Sequence, residues 1–253
     1  GVGEKEGVFT RVDKGVYVLR RKGKDVAYVS TGDSVETLPK MVNEGFKSDM
    51  VFLDIPYKTP AVIGGNRGIK YNYITVDQFK KVVSSLVNIT RNENTPVIYM
   101  YSQAKSGLKE MKKYTSVLTD NGLKPIARGE YTKTQKDGIT RVRNMRGDVI
   151  EPEGLILFSL SGKLNKDLRA SLLDLNFKLV RPKGYQTEKP AEMLNKLIKM
   201  TTKEGDVVLD PFAGSGVTGG ETAGAAAWAG IATKPTAPSP VISVTLPEPN
   251  KPS

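Results

Sequence analysis

Four short, continuous apolar runs constrain this chain more than any other feature. They are residues 51–53 of "VFLD", "PVIYMY" at 96–101, "LILFSL" at 155–160 and the apolar centre of "DVVLDPF" at 206–212. Each is too short for a core helix and is apolar at odd and even positions alike. Such runs read as strands buried on both faces, which requires helices on both sides of a sheet. The intervening segments supply helices. "TVDQFKKVVSSLVNI" spaces Phe79, Val82, Val83, Leu86 and Val87 helically, and Thr75 with Gln78 forms a capping box at its start. A second helix is expected over about 104–118, ended by "DNG", and a third over 187–201 with Pro190 in its first turn. "GDSVETLPKMV" (32–42) reads as a turn and a short helix, "VYVLRRKGKDVAYVS" (17–30) as a hairpin turning at Gly23, and "AWAGIA" (227–232) as a last strand. The expectation is an α/β fold with a doubly wound, mostly parallel sheet. It divides into an N-terminal extension or hairpin over 1–25, a main domain over 26–232, and a tail over 233–253 whose six prolines exclude regular helix.

Composition removes several chemistries. The chain has no Cys and no His, so thiol nucleophiles, Cys/His zinc sites and histidine general bases are excluded. Lys plus Arg is 38 against 27 Asp plus Glu, a formal charge of +11, which favours a polyanionic partner. No stretch approaches the roughly 18–20 apolar residues of a membrane span, and no signal peptide is read, so a cytoplasmic, nucleoid-associated location is expected. The chain begins at Gly1 rather than Met, which suggests a processed or tagged start.

Two strand ends carry polar residues where open α/β sheets bind ligands. In "VFLDIPYKTP" (51–60), Pro56 stops the strand and leaves Asp54 and Tyr57 on a stiff turn. A turn-capping role would also explain Asp54 by itself. In "VVLDPFAGSGVTG" (207–219) the strand runs into Asp210 and a loop with Gly214 and Gly216. Glycines let backbone approach a ligand, and helix N-terminal amides accept anions. The spacing fits neither the P-loop nor the dinucleotide fingerprint; a plain turn is the competing reading.

The two stretches together resemble the amino-group DNA methyltransferases that use S-adenosylmethionine. "DIPY" is similar to their D-P-P-Y motif and "DPFAGSGVT" to D-P-F-x-G-S-G-T. The order, with the glycine loop last, is that of the circularly permuted beta class. "GYQTEKPAEMLNKLI" (184–198) is similar to H-P-T-Q-K-P-x-E-L-L, and "VSTGDSVETL" (29–38) to G-D-x-L-E-x-L. The resemblance covers about 26–232 and implies a Rossmann-like class I methyltransferase fold. It implies S-adenosylmethionine as cofactor and methyl transfer to an exocyclic amino group of a flipped base. Adenine N6 is favoured over cytosine N4 because the motif begins with Asp; RNA is a further substrate the motif serves. It casts Asp54, Ile55, Pro56 and Tyr57 as catalytic: Asp54 and the Ile55 carbonyl as acceptors for the amino hydrogens, Tyr57 as the stacking ring. Asp33, Asp210, Phe212, Gly214, Ser215, Gly216 and Thr218 fall on the cofactor, with Lys189 facing its methionine carboxylate. Alternatively Lys189 is an exposed first-turn lysine and Asp33 a turn residue. No metal is implied.

Two departures stand out. Ile55 replaces a proline, and Ala232 sits where the family places a ribose-binding acid. They leave a second reading, a non-catalytic methyltransferase-fold subunit that binds nucleic acid or acts as a scaffold. Between the two motif halves, "GEYTKTQKDGITRVRNMRGD" (129–148) reads as a basic recognition hairpin within 128–150. There Arg128, Lys133, Lys136, Arg141, Arg143 and Arg146 are expected to contact phosphates, or else form a solvated hairpin. "GGNRGIKYNY" (64–73) is expected to close over the base. No large recognition domain fits, so a homodimer or partner subunit is expected to complete the grip on DNA.

Overall fold

The computed structural model describes residues 8–13, 16–21, 24–56, 74–143, 147–164, 175–180, 189–203, 206–213 and 227–232. Tyr57, the 64–73 segment, Arg146, Gly214, Ser215, Gly216, Thr218 and the 233–253 tail lie outside these residues.

The described residues form fourteen elements, with helices and strands alternating from β3 to β6. In chain order they are β1 (Val8–Asp13), β2 (Val16–Arg21), β3 (Lys24–Thr31), α1 (Ser34–Asn43), β4 (Met50–Asp54), α2 (Val76–Ile89), β5 (Val97–Ser102) and α3 (Lys105–Asp120). There follow β6 (Lys124–Thr134), β7 (Glu153–Ser159), β8 (Asn176–Val180), α4 (Ala191–Thr201), β9 (Val207–Asp210) and β10 (Ala227–Ala232). All ten strands join one sheet in the order β1-β2-β3-β10-β9-β4-β5-β7-β6-β8. The β3-β10-β9-β4-β5 centre is parallel throughout. The expected boundary after residue 25 falls inside β3, which continues the same sheet.

Alternation along β4 shows why the sheet must be covered twice. Met50 and Phe52 join one core with Met193, Leu194 and Leu197 of α4. Val51 and Leu53 join the opposite core with Leu38 of α1, Phe79, Val82 and Leu86 of α2, and Leu118 of α3. Phe79, Val82, Val83 and Leu86 are all fully buried, and each contributes about 1.5–3 kcal/mol of transfer free energy. The Thr75–Gln78 capping box forms as the sequence dictates. Pro190 is the N-cap of α4 rather than a residue of its first turn, because the helix begins at Ala191.

The sheet's far half departs from simple alternation. β7 runs antiparallel to β5, with Ser102 opposite Glu153, and β6 runs antiparallel to β7, with Tyr131 opposite Glu153. The connection from β6 to β7 is a turn-rich excursion, not a crossover helix, so β7 returns in the opposite direction. Residues 128–134, expected in a free basic hairpin, are therefore part of β6, between β7 and β8.

Candidate active site

Chain direction places the polar residues. Asp54 ends β4 and Asp210 ends β9, and these parallel neighbours align Met50 with Val208 and Val51 with Leu209. From β4 the chain winds through α2 to β5 on one side; from β9 it continues to β10 on the other. The winding reverses between the two strands, which is where ligands bind in doubly wound folds. Because β7 is antiparallel, its first residue, Glu153, comes to the same edge as the last residues of β4 and β5. Lys133, two residues beyond Tyr131, extends β6 to this edge.

Four charged side chains meet there. Lys189, immediately before the Pro190 cap, is 5% exposed. Its Nζ lies 2.7 Å from Asp54 Oδ2 and 3.3 Å from Glu153 Oε2. The other Glu153 oxygen, Oε1, takes the Lys133 ammonium. Lys133 also lies 5.9 Å over the Tyr131 ring, two residues back on the same strand face. The signs alternate, Asp54–Lys189–Glu153–Lys133, so each charge is compensated inside a poorly solvated edge. The Asp54 side chain is itself 24% exposed.

The backbone fixes this cluster. The Gln103 N–H donates to the Pro152 carbonyl at 3.1 Å, continuing the β5–β7 ladder up to Glu153. A Cβ on Gly154 would lie 2.1 Å from Tyr101 Cζ, so only glycine lets that ring lie across β7 beside Glu153. Burial pushes the Asp54 carboxyl above the ordinary aspartate range; Lys189 opposes that shift and Glu153 adds to it. Burial also pushes Glu153 upward, but Lys189 and Lys133 together hold it below the usual glutamate range.

The opposite flank holds the glycine-loop strand. Asp210 is 2% exposed, and its Oδ1 accepts the Phe212 N–H at 2.9 Å. Ser34 Oγ donates to the Pro211 carbonyl at 2.5 Å, fastening the start of α1 to the β9 turn. Asp33 caps α1 by accepting the Val35 N–H at 2.9 Å, and its side chain is exposed. β3 pairs Thr31 with Ala232, so Asp33 follows two residues beyond the end of β10. Ile55 is buried, and the Pro56 carbonyl accepts the Ile74 N–H at 3.3 Å, closing the base of the segment that follows Asp54.

Several residues differ from their sequence reading. Lys189, directly before the Pro190 cap of α4, is buried between two carboxylates at the ends of β4 and β7. It is not an exposed first-turn lysine. Lys133 is an ion-pair partner of Glu153, not a solvated phosphate contact, because β6 carries it into the cluster. Arg128 is exposed midway along β6, opposite Ile156. Lys136, Arg141 and Arg143 remain on an exposed turn, where Arg141 donates to the Ile150 carbonyl at 3.3 Å and Arg143 to the Gly147 carbonyl at 2.6 Å. Glu153 escaped the sequence reading altogether. Its only signal was an acid at the head of a continuous apolar run.

A family model described as DNA methylase, for N6 and N4 amino methylation, matches residues 18–227. A curated relative, the type II methyltransferase M2.DpnII of Streptococcus pneumoniae, is 54% identical over 35 residues. That match spans 14% of this chain and 13% of the relative. Among solved structures, the M1.HpyAVI–SAM complex superposes with a TM-score of 0.59 at 19% identity, over 82% of this chain and 94% of that one. The cytosine-N4-specific PvuII DNA methyltransferase superposes with a TM-score of 0.60 at 16% identity, over 83% of each chain. At these identities the likeness is one of fold. The matched span, most of the sheet and both motif-bearing strand ends, makes this chain a member of the N6/N4 DNA methylase family.

Proposed function

We propose that this chain transfers a methyl group from S-adenosylmethionine to an exocyclic amino group of a base in DNA, with adenine N6 the favoured acceptor. One observation carries the reading. A partly exposed carboxylate stands at the sheet's switch point with Oδ2 held by a buried ammonium. An amino nitrogen that gains a methyl group also gains positive charge, and a preorganised acceptor on its hydrogens stabilises that charge. Asp54 Oδ1 and the Ile55 carbonyl are cast as these acceptors, and Tyr57 as the ring on which the extruded base stacks. The absence of Cys is compatible with amino transfer, which needs no covalent enzyme intermediate.

The donor set suits the cofactor's zwitterionic, sulfonium-bearing character. Buried Asp210, half-buried Phe212 and exposed Asp33 line the β9–α1 flank, and residues 214–218 follow in sequence. When bound, S-adenosylmethionine supplies the electrophilic methyl group. Asp33, beyond the Thr31–Ala232 pair, is cast as the carboxylate nearest the ribose in place of an acid at Ala232. Lys189 is reassigned from the cofactor carboxylate to Asp54, whose charge it maintains. Lys136, Arg141 and Arg143 are cast as phosphate contacts.

The test is incorporation of labelled methyl from S-adenosylmethionine into duplexes containing adenine alone or cytosine alone as the amino-bearing base of the target strand. Labelled N6-methyladenine is the expected product. Label in N4-methylcytosine would overturn the base preference, and label in neither would overturn the reading.

A further inference from the structure

Glu153 has no role in the function proposed above, yet it is the centre of the charged cluster. It is 6% exposed, it uses a different oxygen for each lysine, and it shares the Lys189 ammonium with Asp54. Both carboxylates touch one ammonium, so their oxygens lie within about 6 Å, near enough for like charges to bear on each other. A glutamate serving only to bury Lys133 would not need the second contact. A lysine serving only to hold Asp54 would not need a second acid.

We propose that Glu153 is a positioning residue for Asp54: with Lys133 on its other oxygen, it divides the Lys189 ammonium between two acids and so sets where and how strongly that ammonium bears on Asp54. The inference rests on Asp54 being the acceptor at the transferring nitrogen. Three features of the fold support it. The Ser102–Glu153 register delivers Glu153 to the edge where Asp54 ends its strand. Gln103 and the Gly154–Tyr101 contact fix the backbone on either side of it. Lys133 is itself restrained over the Tyr131 ring, so Glu153 cannot swing wholly onto Lys189. Without Lys133, Glu153 would draw Lys189 away from Asp54; without Glu153, Lys189 would bear more strongly on Asp54. The two substitutions should therefore move Asp54 in opposite directions.

The charged groups facing Asp54 are Lys189 ahead of α4, Glu153 on β7 and Lys133 on β6. On β9 the edge carries Asp210, engaged by the Phe212 N–H, and on β6 Glu130 accepts from Gln103 and Thr132. Removing the Glu153 charge removes a like charge and frees a lysine, so Asp54 becomes more acidic. Removing Lys133 does the reverse.

The experiment is a carboxyl-carbon NMR titration of the full chain labelled at aspartate, with the Asp54 signal assigned by Asp54→Asn. In Glu153→Gln the Asp54 midpoint should fall by about one pH unit, and in Lys133→Met it should rise. The acidic limb of the turnover profile should follow, moving down in Glu153→Gln and up in Lys133→Met. Neutral-pH turnover should drop about tenfold in Glu153→Gln, with the DNA KM within about twofold and partial recovery in Glu153→Asp. Shifts of the same sign, or none, in the two variants would overturn the proposal. If Glu153→Gln does not fold, a fixed Asp54 midpoint in Lys133→Met would overturn it alone. The titration needs no substrate, so a wild type without methyl transfer would sink the function proposed above while the midpoints still decide the role of Glu153.

Discussion

β4 has an aspartate at each end, and they are satisfied differently. Asp49, just before the strand, takes Arg91 through both Nε and Nη2, the latter at 3.0 Å, and also accepts the Val207 N–H at 2.9 Å. A forked guanidinium and a backbone amide saturate it, and Asp206 bears on Arg91 only as a weaker, more distant charge. Asp54, at the other end, holds one ammonium that it shares with Glu153. The first arrangement locks β4 to β9 and to the exit of α2. The second leaves a carboxylate whose charge depends on how neighbours divide a cation. A saturated acid serves the fold; an acid kept on a shared partner can serve chemistry.

Substitutions can break this contrast. Lys189→Met should have the largest effect. It strands two carboxylates at a poorly solvated edge, a loss of about 3–5 kcal/mol in denaturant unfolding at neutral pH. A loss below about 1 kcal/mol would mean that water already screens the cluster. Asp54→Ala should lower methyl turnover about 10²-fold or more, roughly 2.7 kcal/mol of barrier, because Lys189 keeps Glu153 and the core is untouched. Turnover within threefold of wild type would remove Asp54 from the mechanism.

Asp49→Ala should behave oppositely. Unfolding free energy should fall by about 1–3 kcal/mol, from the lost pair and the stranded Val207 amide, discounted because Arg91 is half exposed. Turnover well below the melting temperature should stay within about twofold. A kinetic defect as large as that of Asp54→Ala would erase the distinction between the two strand ends. The mildest change sharpens it. Replacing Arg141 and Arg143 by Ala should leave stability within about 0.5 kcal/mol and flatten the salt dependence of DNA binding by roughly two units of log–log slope. An unchanged slope would make the 135–143 turn an ordinary solvated loop.

The sequence made one of these two strand ends readable and hid the other. Asp54 and Asp210 were legible because each terminates an apolar run that only a doubly covered strand explains. The α2 capping box and the apolar faces of α2 and α4 were legible for the same reason: local periodicity and burial agree. Glu153 was not, because a strand's direction is not written in its residues. Had β7 run parallel to β5, its first residue would lie at the far edge, beside Asp49. β6 was hidden by its mixed pattern, with only Tyr131, Thr132 and Thr134 buried, and β8 by its short, half-exposed edge position. Lys133 was misread because a lysine among turn residues carries no mark of the partner that another strand brings to it. Asp49 was passed over because its partner lies 42 residues away, beyond a whole helix.

The alternating order of charges in the Asp54–Lys133 chain also bears on ionic strength. Two acids and two bases in sequence carry no net charge, so their field falls off faster than that of a lone charge and mobile ions have less to screen. The chain as a whole carries +11, and any hold on a phosphate backbone through exposed arginines weakens steeply as salt displaces it. Grip and chemistry would then answer to different variables. On the function proposed above, raising salt would loosen the chain from DNA and speed its departure after each transfer, while the step at the amino nitrogen kept its rate.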